Sequence, residues 1–285
     1  ETALLLGFGC SVPAILSTRR IEGRNDRLVT IAILPMMSCA GRLPIYMMFV
    51  SALFPSHLQA TVLFGIYAAG ILLALLCARL LKNTFFKTVQ RDAPHRLKRL
   101  RIPSLRKVGL LMWSRAFMYV RKAGTFILGA SIILWFLNTY PRPEEGTAEN
   151  AAAAMEHSYA GQIGHWMEPV TRVAGFDWKV NSALLGAFAA KEIFVTQMGI
   201  LYAVQDGDSG PEAQQTLNTR LKASYTPLQG ISIMIFCLIA LPCIGTVTVA
   251  KREAGTWWFA LAQFAGLTVM GFVTATVVYQ VGLLL

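Results

Sequence analysis

The stretch Gly7-Phe8-Gly9-Cys10-Ser11-Val12-Pro13 places a thiol between two glycines and a proline, inside the apolar segment 2–18. Proline lacks a backbone donor and clashes with the preceding helical turn, so a helix ends or restarts near Pro13. In a bilayer such a break is tolerated only where protein or a water-filled cavity satisfies the freed backbone groups. The stretch therefore predicts a discontinuous helix that faces a protein-lined interior.

The composition of the whole chain is that of a protein in lipid. Of its 285 residues, 55% are hydrophobic and only 14% are charged, and the mean hydropathy is +0.51. Soluble domains carry about 25% charged residues. Apolar runs broken by proline and glycine recur, and residues 59–81 are the clearest transmembrane helix. We therefore predict an all-α polytopic membrane protein with kinked or discontinuous transmembrane helices.

The apolar and polar runs divide the chain into five predicted regions. Residues 1–81 and 181–285 are two membrane regions that carry the cysteine motifs, and residues 205–228 within the second are predicted as a polar loop. Between them we predict a basic cytoplasmic loop at 82–122, with an amphipathic interfacial helix at 106–122; a transmembrane helix at 123–140; and an extracytoplasmic segment at 141–180, with a short helix around 155–174.

The basic loop fixes the expected orientation. Thirteen of the 26 Arg and Lys residues lie between Arg79 and Lys122, with Asp92 as the one acid there. Because this tract lies between apolar segments, it indicates a cytoplasmic loop of a membrane protein. No nucleic-acid-binding motif accompanies the charge, so we expect no nucleic-acid partner.

A looser copy of the opening motif, Pro242-Cys243-Ile244-Gly245, lies near the other end of the chain. If 181–203 crosses the membrane, Lys251-Arg252 lies outside; if 181–203 is re-entrant, they lie inside, as the positive-inside rule prefers. An odd number of crossings between the two copies would give an inverted repeat with broken helices meeting at the midplane, the arrangement that we favour.

Three cysteines stand beside helix-breaking residues: Cys10, Cys39 after Pro35, and Cys243. Thiolate and carbonyl ligands together suit a borderline metal such as Fe(II) better than Mg(II) or Ca(II), and Met37 and Ser38 would add weak ligands. The alternative is that these small residues only permit tight helix packing.

Charged residues within or beside the apolar runs are the second signal, because burying a charge in a bilayer costs several kcal/mol. Lys191-Glu192 interrupts an apolar run, and Glu192 shares a helix face with Thr196. Either Glu192 lines a cation path while Lys191 pairs elsewhere or gates it, or the two belong to an internal structural ion pair. Glu22 and Glu253 follow the two cysteine copies and either attract cations or balance neighbouring arginines.

Several stretches resemble the bacterial ferrous-iron transporter B family, in the same order along nearly all of the chain. They are G-F-G-C-S-V-P-A-I (7–15), R-N-D-R-L (24–28), P-M-M-S-C-A-G-R-L-P (35–44), K-A-G-T (122–125), G-Q-I-G (161–164), A-K-E (190–192), P-C-I-G-T-V (242–247), R-E (252–253) and G-T-W (255–257). Ser11, Leu34 and Gly245 depart from the usual residues of that family, which weakens any assignment of iron binding to those three side chains.

The resemblance implies a multi-pass protein of the bacterial inner membrane that takes up Fe(II). It implies that 1–81 and 181–285 hold two gate regions, and that Cys10, Cys39 and Cys243 line the iron path. It also implies an N-terminal G domain binding GTP and Mg(II), together with earlier helices, none of which lie in this chain. Small cytosolic accessory proteins of the same transport system and a homo-oligomer are further expected partners, besides the lipid bilayer.

The chain itself carries no phosphate-binding loop and no hydrolase motif, so we expect no enzymatic activity and no bound cofactor from it. Two other functions stay open at this point. One is a nucleoside or small-solute carrier of a similar broken-helix fold. The other is a membrane anchor or receptor that holds a partner domain and transports nothing.

Overall fold

A computed structural model describes residues 2–21, 23–84, 104–141, 155–202 and 211–284. Within these ranges the chain is helical and contains no strand, as predicted. The helices are α1 Thr2–Gly7, α2 Ser11–Ser17, α3 Arg24–Ile33, α4 Leu43–Leu53, α5 Ser56–Thr84, α6 Leu105–Thr139, α7 Tyr159–Thr171, α8 Trp178–Ala189, α9 Lys191–Leu201, α10 Pro211–Ser224, α11 Pro227–Ile239, α12 Ile244–Ala254 and α13 Trp257–Leu284.

Four helical segments of the described chain are long and apolar enough to cross a membrane: 24–53, 56–84, 227–254 and 257–284. The first joins α3 to α4 and the third joins α11 to α12, so both of these spans are broken. Their apolar windows are 56% buried, against 17% for the unbroken α5 and α13. The broken spans therefore form the interior of the bundle, and the unbroken spans cover its outside.

Polar contacts define one end of the bundle, which we call the arginine end. Glu253, at the end of α12, is bound by Arg19 and by Arg27 at the start of α3. Lys82, at the end of α5, lies 3.5 Å from Asp26. The start of α3 therefore lies beside the ends of α5 and α12.

The opposite end, which we call the tyrosine end, joins the other termini of the same helices. Gly230 at the start of α11 packs on Leu53 at the end of α4, and Ser51 bonds Asn218 of α10. The two broken spans therefore run in opposite directions through the bundle.

Helices α8 and α9 form a hairpin that turns at Ala190. A Cβ on Gly186 would lie 2.1 Å from the side-chain amide of Gln197, although the two residues are eleven positions apart. In a continuous helix they would be about 16 Å apart. With its amide nitrogen oriented toward α8, Gln197 donates to the carbonyls of Ser182 and Ala183 at 3.2 Å. The two arms are therefore antiparallel and in close contact.

Both arms of this hairpin end at the tyrosine end of the bundle. The Tyr225 hydroxyl donates its one proton to the carboxylate of Asp177, which caps α8, and lies 2.8 and 2.9 Å from the two carboxylate oxygens. Burial, reinforced by this carboxylate, raises the pKa of Tyr225 above its ordinary value, so the hydroxyl stays protonated and donates. At the end of α9, the Tyr202 ring lies 4.4 Å from the Lys179 ammonium of α8.

The structure corrects two details of the predicted elements. The interfacial helix predicted at 106–122 and the crossing predicted at 123–140 form one continuous helix, α6, because no breaker separates them. The loop predicted at 205–228 contains the helix α10. The short helix predicted around 155–174 is present as α7. Residues 85–103 of the basic loop and 142–154 of the extracytoplasmic segment lie outside the described residues.

Candidate metal path at the helix breaks

Each of the three predicted cysteines is the N-cap residue of a helical segment inside the bundle. Cys10 precedes α2, Cys243 precedes α12, and Cys39 precedes the short 3₁₀ turn Ala40–Arg42 that leads into α4. All three have an extended backbone, and none uses its side chain to cap the helix that it begins. The sulfur atoms therefore lie at helix breaks, as the proline and glycine positions predicted.

Direct contacts join the break at Cys10 to the break at Cys39. The backbone amide of Ala40 donates to the carbonyl of Gly9 at 3.1 Å. A Cβ on Gly7 would lie 3.2 Å from Cβ of Met37, a tight contact that shows how closely α1 approaches this loop. The two thiol-bearing loops are thus in contact in the fold, although 29 residues separate them in the sequence.

The third break lies against α2. A Cβ on Gly245 would be in ordinary contact with Cγ2 of Val12, at 3.5 Å. The Cys243 thiol lies 3.2 Å from the Thr246 hydroxyl, and either group can donate. Before Cys243, Leu241 has a φ of 53°, a left-handed conformation that is uncommon for a residue other than glycine. Because Cys10 is the N-cap residue of α2, this contact brings the second predicted gate region to the first.

The tip of the α8–α9 hairpin reaches both broken spans. A Cβ on Gly41 would lie 2.8 Å from Oε1 of Glu192, so this carboxylate is held against the loop that follows Cys39. The ammonium of Lys191 donates to the carbonyls of Cys237 and Ala240 at the end of α11, at 3.4 and 3.3 Å. The hairpin tip therefore touches one break through an acid and the other through a base.

Exposure separates the predicted residues into two groups. Glu192 and Thr196 lie exposed on α9, in agreement with the predicted shared face, and the three break cysteines are partly exposed. Met37, Ser38 and Lys191 are buried, and the Ser38 hydroxyl has no hydrogen-bond partner among the described residues.

The predicted ligands do not form a closed metal site. Within the part of the chain that the structure describes, no group of three or more His, Cys, Asp or Glu side chains is placed to hold one ion. The assignment of Cys10, Cys39, Cys243 and Glu192 as iron ligands stays a prediction, and the geometry suits successive contacts better than one site of four ligands.

Two acids follow the cysteine copies in the sequence, Glu22 and Glu253. Of these, Glu253 forms ion pairs with two arginines. Its side chain is 3% exposed, and its carboxylate accepts from Nε of Arg19 at 2.9 Å and from Arg27 at 2.6 Å. It therefore balances arginines, which was one of the two readings of the sequence. Glu22 lies outside the described residues.

The element order suggests a different internal repeat from the one predicted. A short interrupted pair, a broken span and an unbroken span occur as α1–α2, α3–α4 and α5, and again as α8–α9, α11–α12 and α13. Cys243 therefore corresponds to Cys39, whereas we predicted that it corresponds to Cys10.

Sequence reasoning missed the break at Ala190, because Ala189-Ala190 carries no helix-breaking signal. It also left the partner of Arg42 unidentified. The guanidinium is 1% exposed and donates to the carbonyl of Met37 at 3.0 Å, across the break that holds Cys39. The predicted cost of burying this cation was the signal that could have pointed to such a partner.

Two family profiles match this chain. Residues 63–115 match the ferrous iron transport protein B C terminus, and residues 120–257 match the Gate family, which is described as nucleoside recognition. No solved structure matches the chain.

Curated relatives match nearly the whole chain. They include an Fe(2+) transport protein A/Fe(2+) transporter FeoB fusion protein of Porphyromonas gingivalis, 37% identical over 99% of this chain and 37% of its own length. The Fe(2+) transporter FeoB of Campylobacter jejuni is 34% identical over 95% of this chain and 44% of its own, and that of Methanocaldococcus jannaschii is 36% identical over 99% and 41%. The chain thus spans about two fifths of the length of these relatives. It belongs to the ferrous iron transport protein B family and corresponds to the C-terminal portion of its members.

Proposed function

We propose that this chain forms the membrane path for Fe(II) in a ferrous iron transporter of the bacterial inner membrane. The observation that carries the proposal is that three thiols, at Cys10, Cys39 and Cys243, stand at helix breaks that contact one another. Relatives that bear the name Fe(2+) transporter cover nearly the whole chain. Sulfur ligands suit Fe(II) and disfavour Mg(II) and Ca(II), which prefer oxygen.

The path uses its ligands in succession. An ion that passes between the broken spans meets the thiols of Cys10 and Cys39 on one side and the thiol of Cys243 on the other. Glu192 supplies a carboxylate at the hairpin tip, and Thr196 lies one turn further along the same face. Because weak, sequential binding lets an ion leave as readily as it enters, this arrangement fits conduction better than storage.

The sidedness of the path follows from the two ends of the bundle. The arginine end gathers Arg19, Arg20, Arg24 and Arg27 beside Lys251-Arg252, so the positive-inside rule places it in the cytoplasm. The α8–α9 hairpin then enters and leaves at the extracytoplasmic, tyrosine end as a re-entrant element. The positive-inside rule thus favours the alternative in which 181–203 is re-entrant.

The remaining parts of the transporter lie outside this chain. A G domain that binds GTP and Mg(II) would regulate the path, and the basic segment 82–122 is available to contact it. The chain itself acts as a non-enzymatic path, without a bound cofactor. Small cytosolic accessory proteins and a second copy of the transporter are expected partners.

Reconstitution tests this function. The full-length protein is placed in proteoliposomes, and the entry of Fe(II), of a nucleoside mixture and of Mg(II) is measured. We expect Fe(II) entry with GTP present and neither of the other two. Nucleoside entry without Fe(II) entry would identify a solute carrier, and no entry of any solute would identify an anchor; either result contradicts the proposal.

A further inference from the structure

In each broken span, a buried cationic side chain lies at the carbonyl end of the half-helix that precedes the break. Arg42, 1% exposed, donates to the Met37 carbonyl after α3. Lys191, 6% exposed, donates to the Cys237 and Ala240 carbonyls at the end of α11. The two cations come from different elements, one from the span itself and one from the hairpin tip.

These carbonyls are the groups with which a broken helix would bind a small hard cation. The last carbonyls of a helix lack an intrahelical partner and carry the negative end of the helix dipole. Inside a membrane protein, such unwound carbonyls can coordinate small cations such as Na⁺, and Ca²⁺ likewise takes carbonyl oxygen ligands. In this chain a guanidinium and an ammonium already occupy those positions.

The thiols at the breaks are ligands of another kind. Cys39 and Cys243 are the N-cap residues of the half-helices that follow the occupied carbonyls, and both residues are partly exposed. We propose that Arg42 and Lys191 determine specificity: they occupy the carbonyl oxygens of both breaks, so that hard cations find no site and a sulfur-seeking metal does. The proposal rests on the proposed function, because it explains how the iron path would reject other ions.

Lys191 is the better residue for the test, because its ammonium is a compact charge similar to a small cation. Shortening it to alanine frees two carbonyls at once. The same hairpin offers a matched control in Lys179, whose ammonium lies over the rings of Trp178 and Tyr202 at the tyrosine end and touches no break. Lys191→Ala and Lys179→Ala therefore remove the same charge from the two ends of one hairpin.

The first measurement is thermal unfolding of the purified full-length protein in choline, Na⁺ or Ca²⁺ at constant ionic strength. We expect Na⁺ or Ca²⁺ to raise the Tm of Lys191→Ala by about 5 °C at saturating concentration, through binding to the vacated carbonyls. The wild type and Lys179→Ala should show no such rise. This readout needs no iron transport, so it separates a failure of this proposal from a failure of the proposed function.

The second measurement is Fe(II) uptake in proteoliposomes with a 100-fold excess of Ca²⁺. We expect excess Ca²⁺ to leave Fe(II) uptake by the wild type and by Lys179→Ala unchanged. For Lys191→Ala, we expect uptake in Ca²⁺ to be at least tenfold lower than uptake in choline. If Lys191→Ala is too unstable to purify in choline but is recovered by Na⁺, Ca²⁺ or ethylammonium, that recovery supports the proposal. Instability that none of these cations relieves would overturn it, as would an unchanged Tm or an equal response of Lys179→Ala.

Discussion

The packing of the α8–α9 hairpin leads to a prediction with a built-in control. A Cβ on Gly186 of α8 would lie 2.1 Å from the terminal amide group and 2.7 Å from Cδ of Gln197, and 2.9 Å from Cγ2 of Ile193. Gly199 of α9, by contrast, has nothing within 4 Å of such a Cβ. Gly186→Ala therefore tests the contact between the arms, and Gly199→Ala reports only the effect of alanine on a helix.

The magnitudes follow from two opposing effects. Alanine in place of glycine stabilises a helix by about 1 kcal/mol, so Gly199→Ala should gain up to that amount. Overpacking costs about 1–3 kcal/mol, and displacing Gln197 from its hydrogen bonds costs about 1 kcal/mol more. After the helix gain is subtracted, Gly186→Ala should lose about 1–3 kcal/mol.

Thermal unfolding of the purified full-length protein measures this difference. We expect the Tm of Gly186→Ala to lie at least about 3 °C below that of Gly199→Ala. Equal Tm values, or a higher value for Gly186→Ala, would mean that the arms are not in contact and that residues 178–201 form an ordinary crossing.

Three further predictions concern the two ends of the bundle. Glu253→Gln should lower the free energy of unfolding by about 2 kcal/mol, less than for a fully buried ion pair because its two arginine partners reach water; unchanged thermal unfolding would contradict this. Tyr225→Phe should cost about 1–2 kcal/mol by removing the donor to the carboxylate that caps α8, and the same melting experiment checks it. Cysteines introduced at positions 20 and 252 should react with a membrane-impermeant maleimide only after lysis of the cells. A cysteine at Thr219 should react in intact cells. Labelling of positions 20 and 252 from opposite sides of the membrane would contradict the hairpin topology.

The breaks that could be predicted from sequence are those with a local cause. Pro13 stands in the first turn of α2, where its missing donor is not needed, and the helices α3 and α11 end shortly before Pro35 and Pro242. Ala190 has no such cause. Alanine is the best helix former, and the chain turns there because Gly186 lets α9 pack back on α8, a tertiary contact that no local pattern encodes.

The missed helix α10 has a different explanation. The polar signals Asp206, Gly207, Asp208 and Gly210 predicted a loop, and they all precede the helix. Pro211 is the first residue of α10, a position that proline favours because its missing donor is not needed there. Read as a start signal, it would have predicted the helix.

The pairing of distant residues was beyond sequence reasoning. Arg19 and Glu253 are 234 positions apart, and nothing in either neighbourhood identifies the other as its partner. The same holds for Lys191 and the carbonyl of Ala240. The cost of burying charge predicted that partners exist, and only the fold could identify them.

The central claim is that Fe(II) passes among thiols at the helix breaks, and uptake by a triple variant tests it most directly. Cys10, Cys39 and Cys243 are replaced together by serine in the full-length protein, and Fe(II) entry into proteoliposomes is compared with that of a control in which Cys77 and Cys237 are replaced. The account predicts that the triple variant loses Fe(II) entry at least tenfold while the control retains it. Equal entry through both variants would contradict a sulfur-lined path.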